Sequence, residues 1–461
     1  MTAVLAPPVG TRTRPAPTPR WWRDAAAVTC WVSALVVGYL WLTGGGAQDL
    51  STGPAGAVTS LGRLSGLVGA DLLLVQVFLM ARVPWVERSY GQDELARRHR
   101  LVGFWSFNLI LLHIGLITVG YALADHRGFV GELWHVVTTY GGMLMASIAT
   151  ACFVMVGVTS VRMARRKLRY ETWHLLHLYA YLGVGLSVPH EIWTGADFTS
   201  SPTARAYWVT TYLVAAGAVV VFRLGLPFWR SLRHRLVVSG VDREGDGVVS
   251  VRVRGRDLER LRVRPGQFFV WRFRDGPGWA AGHPYSLSAA PGDELRLTVK
   301  DLGDGSSRLA TLPVGTQVLV EGPYGRLTAD ERVTGRAVLV GCGIGITPLR
   351  ALLEDLDGVP TTLLYRARSA QDLVLRDEIE VLAAQRGVAV HYLLGRRRTG
   401  SWLPEAAQGQ RDADVLRRLA PDLLTSDVFV CGPPGWTDAV VGAARAAGLP
   451  ERQLHLERFS W

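Results

Sequence analysis

The hydrophobic pattern changes character near the middle of the chain. Up to about residue 224 the apolar residues fall in long stretches, roughly 25–43, 66–83, 100–122, 139–161, 173–190 and 206–224. Each is long enough for a hydrocarbon core of about 30 Å, so the pattern predicts six membrane helices. Beyond residue 233 apolar and polar residues alternate in short runs broken by Gly and Pro. The runs 236–241, 248–254, 266–273, 283–288, 294–300 and 316–321 read as strands of a small antiparallel barrel. From Ala337 an apolar run, a Gly-rich turn and a helical stretch follow one another, and 361–365, 388–394 and 428–431 read as further strands with helices between them. That alternation predicts a parallel α/β nucleotide domain. The expected fold class is therefore multidomain: a disordered tail over 1–24, a six-helix transmembrane bundle over 25–230, an antiparallel β-barrel over 233–332 and an α/β domain over 335–461.

Charge sharpens this picture. The net charge of +11 suggests nucleic-acid binding only until the charges are located. Arginines collect between the second and third apolar spans, between the fourth and fifth, and after the sixth. That is the positive-inside pattern, and it places both termini and the soluble half on the cytoplasmic side. The partners expected are membrane lipid and a small molecule, not nucleic acid. Lys167 and Lys300 are the two lysines among 50 basic residues, a bias that points to a GC-rich bacterial genome and so to a bacterial plasma membrane. Residues 1–20 are rich in Pro, Thr and Arg and make a poor signal peptide, so the first span is expected to stay as an uncleaved helix. The four cysteines, Cys30, Cys152, Cys342 and Cys431, form no CxxC, which argues against zinc and iron–sulfur sites.

Histidines then stand out within the apolar spans. His99 and His113 lie fourteen residues apart in the third. On a helix this returns them to within roughly 40° of one face with a rise of about 21 Å. The fifth span carries His174, His177 and His190. An imidazole is costly in lipid and usually marks a function there. His177 falls level with His99, and His190 level with His113. Two levels with two histidines each suit two b-type haems, each with two axial imidazoles, held between the third and fifth helices; His174 is the alternative to His177. The thirteen-residue step from His177 to His190 leaves their rings roughly 140° apart on an ideal helix, a misfit that Pro189 can relieve by disturbing the last turn. Arg97, Arg98, Arg100 and Arg169 either pair with haem propionates or mark topology.

The soluble half carries three further constellations. Gly341, Gly343 and Gly345, with Ile344, Thr347 and Pro348, sit between a strand and a helix, where glycines let a pyrophosphate approach backbone N–H groups. His283-Pro284-Tyr285-Ser286-Leu287-Ser288 reads either as a flavin platform, with Tyr285 against the ring system and hydroxyls at hand, or as an ordinary half-buried strand. The turn after Lys300, with Gly305, Ser306 and Ser307, has the composition of a phosphate cradle. Arg366 and Arg368 end the second α/β strand, where arginine favours the 2′-phosphate of NADPH over the ribose hydroxyl of NADH.

On these residues the soluble half resembles the ferredoxin–NADP reductase superfamily. His283-Pro-Tyr-Ser is similar to that family's flavin motif in its ferric reductase and NADPH oxidase form, Glu321-Gly-Pro-Tyr-Gly to the turn closing its flavin barrel, and 341–348 to its nicotinamide-pyrophosphate loop. Cys431-Gly432-Pro433 resembles the Cys-Gly-Pro motif beside the nicotinamide. Glu457 to Trp461 resembles the closing motif whose terminal aromatic stacks near the flavin, which gives Cys431, Glu457 and Trp461 the catalytic roles. The membrane half, with its paired histidines at separations of fourteen and thirteen, resembles the ferric reductase-type transmembrane domain. Together these resemblances cover roughly 60–461. They imply FAD, NADPH or NADH, and two haem b, with electrons passing from the cytoplasmic nicotinamide through FAD, the inner haem at His99 and His177 and the outer haem at His113 and His190 to an outer-face acceptor, a ferric chelate or dioxygen. Eukaryotic oxidases of this kind carry one more histidine a turn beyond the outer ligand, where this chain has Ile117; the departure weakens the dioxygen reading. No calcium-binding loop is visible. Asp125, His126, Glu132, Glu191 and Asp197 fall in expected outer loops, where they either draw ferric complexes or form a solvated surface. Two other classes compete: an electron-delivery subunit serving an extracytoplasmic partner, and a membrane-anchored flavin reductase without haem. The sequence leaves the oligomeric state open.

Overall fold

A computed structural model describes residues 21–165, 167–168, 170–199 and 201–458. Most of the expected N-terminal tail, and Trp461, lie outside the described residues. The chain divides into two compact units, one ending at Leu224 and the other beginning at Gly225.

In the first unit, five helices are long and apolar enough to cross a membrane: Trp21–Thr43, Pro54–Leu79, Gln92–Ala124, Met143–Ser160 and a final one beginning at Pro202. The helix Tyr170–Trp193, expected as a sixth span, has 24 residues and is not among these five; its histidines and glutamates interrupt its apolar run. Two helices extend well beyond the stretches read from hydropathy. Pro54–Leu79 starts about three turns earlier than expected, over a stretch rich in small residues, with Pro54 in its first turn. Gln92–Ala124 begins before its apolar run because Asp93 and Glu94 suit a helix N-terminus and Glu94 pairs with both Arg97 and Arg98 one turn on. His99 therefore sits inside a regular helix.

Small residues explain how these two helices meet. Side chains at Gly62 and Gly69 would press within 3.0 Å of Ile117 and 3.1 Å of Ile110. A row of glycines lets backbones approach closely where lipid gives no hydrophobic drive to associate. Met143–Ser160 packs along Tyr170–Trp193 in the same intimate way, whereas no extensive backbone contact joins Gln92–Ala124 to Tyr170–Trp193 among the described residues. The two helix pairs thus leave a slot, and the histidines face each other across it.

The second unit holds a barrel and an α/β layer. Strands β1 (Val237–Gly245), β2 (Val248–Arg254) and β5 (Glu294–Lys300) form one antiparallel sheet, and β4 (His283–Ser286), β3 (Phe268–Phe273) and β6 (Val318–Tyr324) form the other. Bridges Val237–Gln317 and Leu287–Leu297 join the two sheets at both seams. The interior is fully apolar, with Val251, Val253, Phe269, Trp271, Leu287 and Leu297 buried. Trp271 Nε1 donates to the Tyr285 carbonyl at 2.9 Å, which fixes β4 against the core. The α/β layer is a five-stranded parallel sheet in the order β11-β10-β7-β8-β9, from β7 (Arg336–Cys342), β8 (Thr361–Ala367), β9 (Ala389–Leu394), β10 (Ser426–Gly432) and β11 (Leu454–Arg458). The strand β11 was not anticipated from the pattern.

A charged latch joins barrel to α/β layer. Arg296 of β5 grips Glu378 with two hydrogen bonds of 2.7 and 2.8 Å, and Arg350 reaches the same carboxylate at 2.8 Å. Glu354 accepts from the Ala290 N–H at 3.0 Å. Burial by itself would raise Glu378, but the Arg296 and Arg350 guanidiniums overcome it and hold the carboxyl below its ordinary value. A depressed carboxylate stabilises the fold fully above the unfolded value of about 4.3 and loses that contribution as pH falls through the folded value. Glu378→Ala is expected to leave the Arg296 guanidinium without its carboxylate, while Arg350 keeps Glu354, and to cost about 2 kcal/mol, or roughly 4–8 °C in thermal melting followed by flavin release. The difference from wild type should shrink only below about pH 4.

Candidate functional site

Across the slot, the His99 and His177 rings stand 5.9 Å apart between centroids, and those of His113 and His190 stand 6.3 Å apart. The rings are mutually inclined by 62° and 49°. One metal ion bonded to two imidazole nitrogens at about 2.0–2.1 Å each places the ring centres roughly 6 Å apart. Every Nδ1 has a protein neighbour: His99 at 3.3 Å from the Gln76 carbonyl, His113 at 2.8 Å from the Gly62 carbonyl, His177 at 3.4 Å from Ser160 Oγ and His190 at 2.7 Å from Thr194 Oγ1. An imidazole whose Nδ1–H is donated to a carbonyl or hydroxyl presents its Nε2 lone pair to a metal. Spacing, slot and nitrogen use all fit an axially ligated porphyrin iron at each level.

The sequence positions the His113–His190 pair through glycine. A side chain at Gly66 would come within 2.4 Å of the His113 ring, and one at Gly142 within 2.7 Å of the His190 backbone nitrogen. Gly142 also has φ +81°, a conformation other residues rarely hold. The helix runs through Pro189 without ending, and despite its thirteen-residue step both rings meet a partner. His177, not His174, faces His99. Trp173 lies 5.0 Å from the His177 ring and has the Arg165 guanidinium over its own ring at 4.5 Å. Arg97 and Arg98 are committed to Glu94, and Arg169 lies outside the described residues.

The acids expected as a solvated outer surface are for the most part not solvated. Asp197 is buried against Arg63 at 2.5 Å, Glu191 accepts from Ser187 at 3.0 Å and from Tyr212, and Glu132 is fully buried. Two helices not anticipated from the sequence, Phe129–Thr139 and Ala196–Thr199, draw Glu132 and Asp197 inward.

On the barrel, strand β4 presents His283 and Tyr285 stacked at 6.2 Å. The His283 ring occupies the space beside Gly305, where a side chain would meet it at 2.5 Å. Ser286 is buried, and its hydroxyl has no hydrogen-bond partner among the described residues. An orphaned hydroxyl on this strand is what a flavin edge would satisfy. Burial pushes the Tyr285 phenol up to about 12, so it stays a donor. Pro284 pairs with Val270 in the sheet, Leu287 lies in the core, and Ser288 is locked to Thr298 at 2.7 Å and Arg296 at 3.1 Å. Ser306 and Ser307 donate to Asp301, at 3.4 and 2.6 Å. The Ser307 hydroxyl, followed by the Gly303 N–H, holds that carboxyl below its usual range.

A cavity of 510 Å³ opens beside the α/β layer, lined among others by Lys300, Gly343, Ile344, Arg366, Arg368 and Pro433. Beneath it, Gly345 approaches the Cys431 carbonyl so closely that a Cβ would lie 2.5 Å away, and Gly341 packs on Leu349. Thr347 donates to the Ile344 carbonyl at 3.0 Å, and both it and Pro348 are buried. Gly432 abuts Trp436. Arg366 is no free anion receptor: its guanidinium donates to the carbonyls of Leu393 at 3.1 Å and Gly395 at 2.6 Å. Arg396 and Arg397 also line the cavity, and sequence reading missed them because they follow the third α/β strand, away from any motif. Their signal was the run of three consecutive arginines, 396–398. Asp372 is the single acid of the lining, and it is spent on the Ser369 cap at 2.7 Å.

Cys431 and Glu457 lie in register on β10 and β11. Gly325 of the barrel comes near enough to Glu457 that a Cβ would sit 3.0 Å from its Oε2. Cys431 and Glu457 thus lie side by side, with Glu457 at the edge of the barrel, while Trp461 lies outside the described residues. Burial, and then the Glu457 carboxylate, push the Cys431 thiol well up. It is a neutral thiol at physiological pH, not a nucleophile.

Comparison with known proteins agrees with both units. Residues 65–188 match the model of the ferric reductase like transmembrane component, and 339–441 match the oxidoreductase NAD-binding domain. Ferredoxin–NADP reductase B of Sorangium cellulosum is 30% identical over 197 residues, which are 40% of this chain and 80% of that protein. The reductase component of propane 2-monooxygenase from Mycolicibacterium goodii is 28% identical over 46% of this chain and 66% of its own length. The ferredoxin reductase component of 3-ketosteroid-9-alpha-monooxygenase from Mycolicibacterium smegmatis is 31% identical over 44% and 57%. The chain thus spans less than two thirds of these last two relatives. Among solved structures, the flavohem-like FAD/NAD binding domain of nitric oxide dioxygenase from Vibrio cholerae superposes with a TM-score of 0.39 at 25% identity, over 49% of this chain and 99% of that one.

The thiols give a direct check on the cleft. Burial pushes Cys342 up to about 11. At pH 8 neither Cys342 nor Cys431 of the folded protein should be carbamidomethylated by iodoacetamide, as read by peptide mass spectrometry, and Cys342 should label first as pH approaches 11. Rapid labelling of Cys431 at pH 8 would show that its thiol is not held neutral and buried.

Proposed function

Because the chain is a ferric reductase-like transmembrane component fused to ferredoxin–NADP reductase-like FAD- and NAD-binding domains, we propose that it carries electrons from cytoplasmic NADPH across a bacterial plasma membrane to an outer-face acceptor. The observation that carries this reading is the set of four histidines in two facing pairs, each with its Nδ1 engaged. In this reading His99 with His177 hold an inner haem b, and His113 with His190 hold an outer one. FAD and the two haems, when bound, supply the conversion of a hydride's electron pair into single electrons and their passage across the lipid.

The residues of the chain do the rest. The carbonyls of Gln76 and Gly62 and the hydroxyls of Ser160 and Thr194 fix the tautomer and aim each imidazole. Ser286 and Tyr285 offer hydrogen bonds and a packing face at the flavin. Neutral Cys431 and the Glu457 carboxylate border the place where nicotinamide would meet it, and the thiol adds no charge there. Lys300, Arg368, Arg396 and Arg397 make the cavity strongly cationic, which supports NADPH over NADH. At the far end Ile117 packs against Gly62, so the position that holds a histidine in oxidases is apolar here. That supports a ferric complex over dioxygen as acceptor.

Two outcomes test this. Gly66→Leu should push the His113 ring out of its notch and remove the outer haem, leaving one haem per chain and no ferric reduction; two haems with unchanged activity would contradict the ligand assignment. Arg368→Ala should raise KM for NADPH about tenfold, the loss of one charge-assisted hydrogen bond, and leave KM for NADH unchanged. An equal effect on both would mean that Arg368 does not read the 2′-phosphate.

A further inference from the structure

The helix that carries His99 and His113 ends at Ala124 and is followed at once by Asp125. A short turn then leads into Phe129–Thr139, which packs back against that helix. Glu132 and His135 are three residues apart and so share one helical face. The fold brings one ligand atom each from Asp125, Glu132 and His135 within 4.8 Å of one another. Glu132 has no exposed surface (0%), and neither of its carboxylate oxygens has a hydrogen-bond partner among the described residues. Arg127 Nη1 stands 3.7 Å from Oε2, beyond hydrogen-bond reach, on a side chain that is 45% exposed. A carboxylate withdrawn from water without donors needs a cation in their place, and the half-exposed arginine is a loose substitute.

We propose that Asp125, Glu132 and His135 bind a first-row transition-metal cation, iron in particular. Two carboxylates and one imidazole, with no thiolate, suit iron or manganese. Three protein ligands leave coordination positions open to water or a chelator. An ion bonded at about 2.0–2.2 Å draws its ligands to within about 4.4 Å of one another, and rotation of the exposed Asp125 side chain closes the difference. Asp125 lies twelve residues beyond His113, a rise of roughly 18 Å along the helix, so the site belongs to the end of the bundle that holds the His113–His190 pair. Resting on the reading that electrons leave at that end, the site seats the ferric acceptor: each NADPH oxidised to NADP+ releases one proton and reduces two ferric ions to ferrous.

The test uses Mn(II) alone, titrated into the detergent-solubilised full-length protein and followed by loss of the free-ion EPR signal. The wild type should bind one Mn(II) per chain. Glu132→Gln and His135→Ala should each weaken binding at least tenfold with flavin content and size-exclusion profile unchanged, and Arg127→Gln should tighten it by removing the competing cation. Absence of saturable binding, or equal affinity in the wild type and in both ligand variants, overturns the site. Should Glu132→Gln fail to fold, His135→Ala and Arg127→Gln decide between the same outcomes. Ferric citrate reduction is measured in parallel. Mn(II) binding without ferric reduction supports the site and overturns only the acceptor reading; ferric reduction with no Mn(II) binding overturns the site and leaves the electron path standing.

Discussion

The membrane unit depends on how four imidazoles use their Nδ1 atoms. A histidine in an apolar helix has two nitrogens and many rotamers, and it is of use to a metal only when one nitrogen is spoken for. Here two backbone carbonyls and two hydroxyls occupy that nitrogen, at 2.7–3.4 Å. The carbonyls are available because glycines bring their helix close. Gly62 supplies the acceptor for His113, and Gly66 vacates the volume that the ring fills. The slot between the helix pairs, the facing rings and the glycine row are thus parts of one arrangement, and none is useful without the others.

The soluble unit meets a different constraint, the relative placement of a barrel and an α/β sheet that must present one surface to a dinucleotide. Arg296 ties Ser288, just beyond β4, to Glu378 of the α/β layer. Buried ion pairs add little net stability but penalise any other arrangement, since separation would strand charge. The same unit keeps its cleft cationic and its thiols neutral. Arg366 and Arg397 are anchored to backbone carbonyls, while the exposed Arg368 and Arg396 beside them are left to meet an anion.

Much of this was legible in the sequence, and the limits have physical causes. The fourteen-residue step from His99 to His113 announced two levels, and the Gly-rich loop after β7 announced a nucleotide sheet. The first turns of Pro54–Leu79 escaped because hydropathy undervalues Gly and Ser, which are the residues that make close helix packing possible. The misfit of His177 and His190 could not be resolved because spacing on an ideal helix says nothing about the path of the partner. The Nδ1 acceptors at Gln76 and Gly62 are backbone atoms and leave no trace in residue type. Ser288 looked available for a cofactor, yet β5 turns Arg296 and Thr298 onto it. Asp125 and Glu132 read as scattered loop residues, and His135 was not singled out at all, because the helix Phe129–Thr139 that gathers them was not anticipated.

The most direct measurement of the central claim is the haem content and low-temperature EPR spectrum of the purified, oxidised full-length protein. Pyridine haemochrome assay should give two haem b per chain, and EPR should show two low-spin ferric signals of the kind two axial imidazoles produce. A preparation that retains flavin but carries no haem, or haem that is high-spin and so lacks a second axial imidazole, would contradict the account.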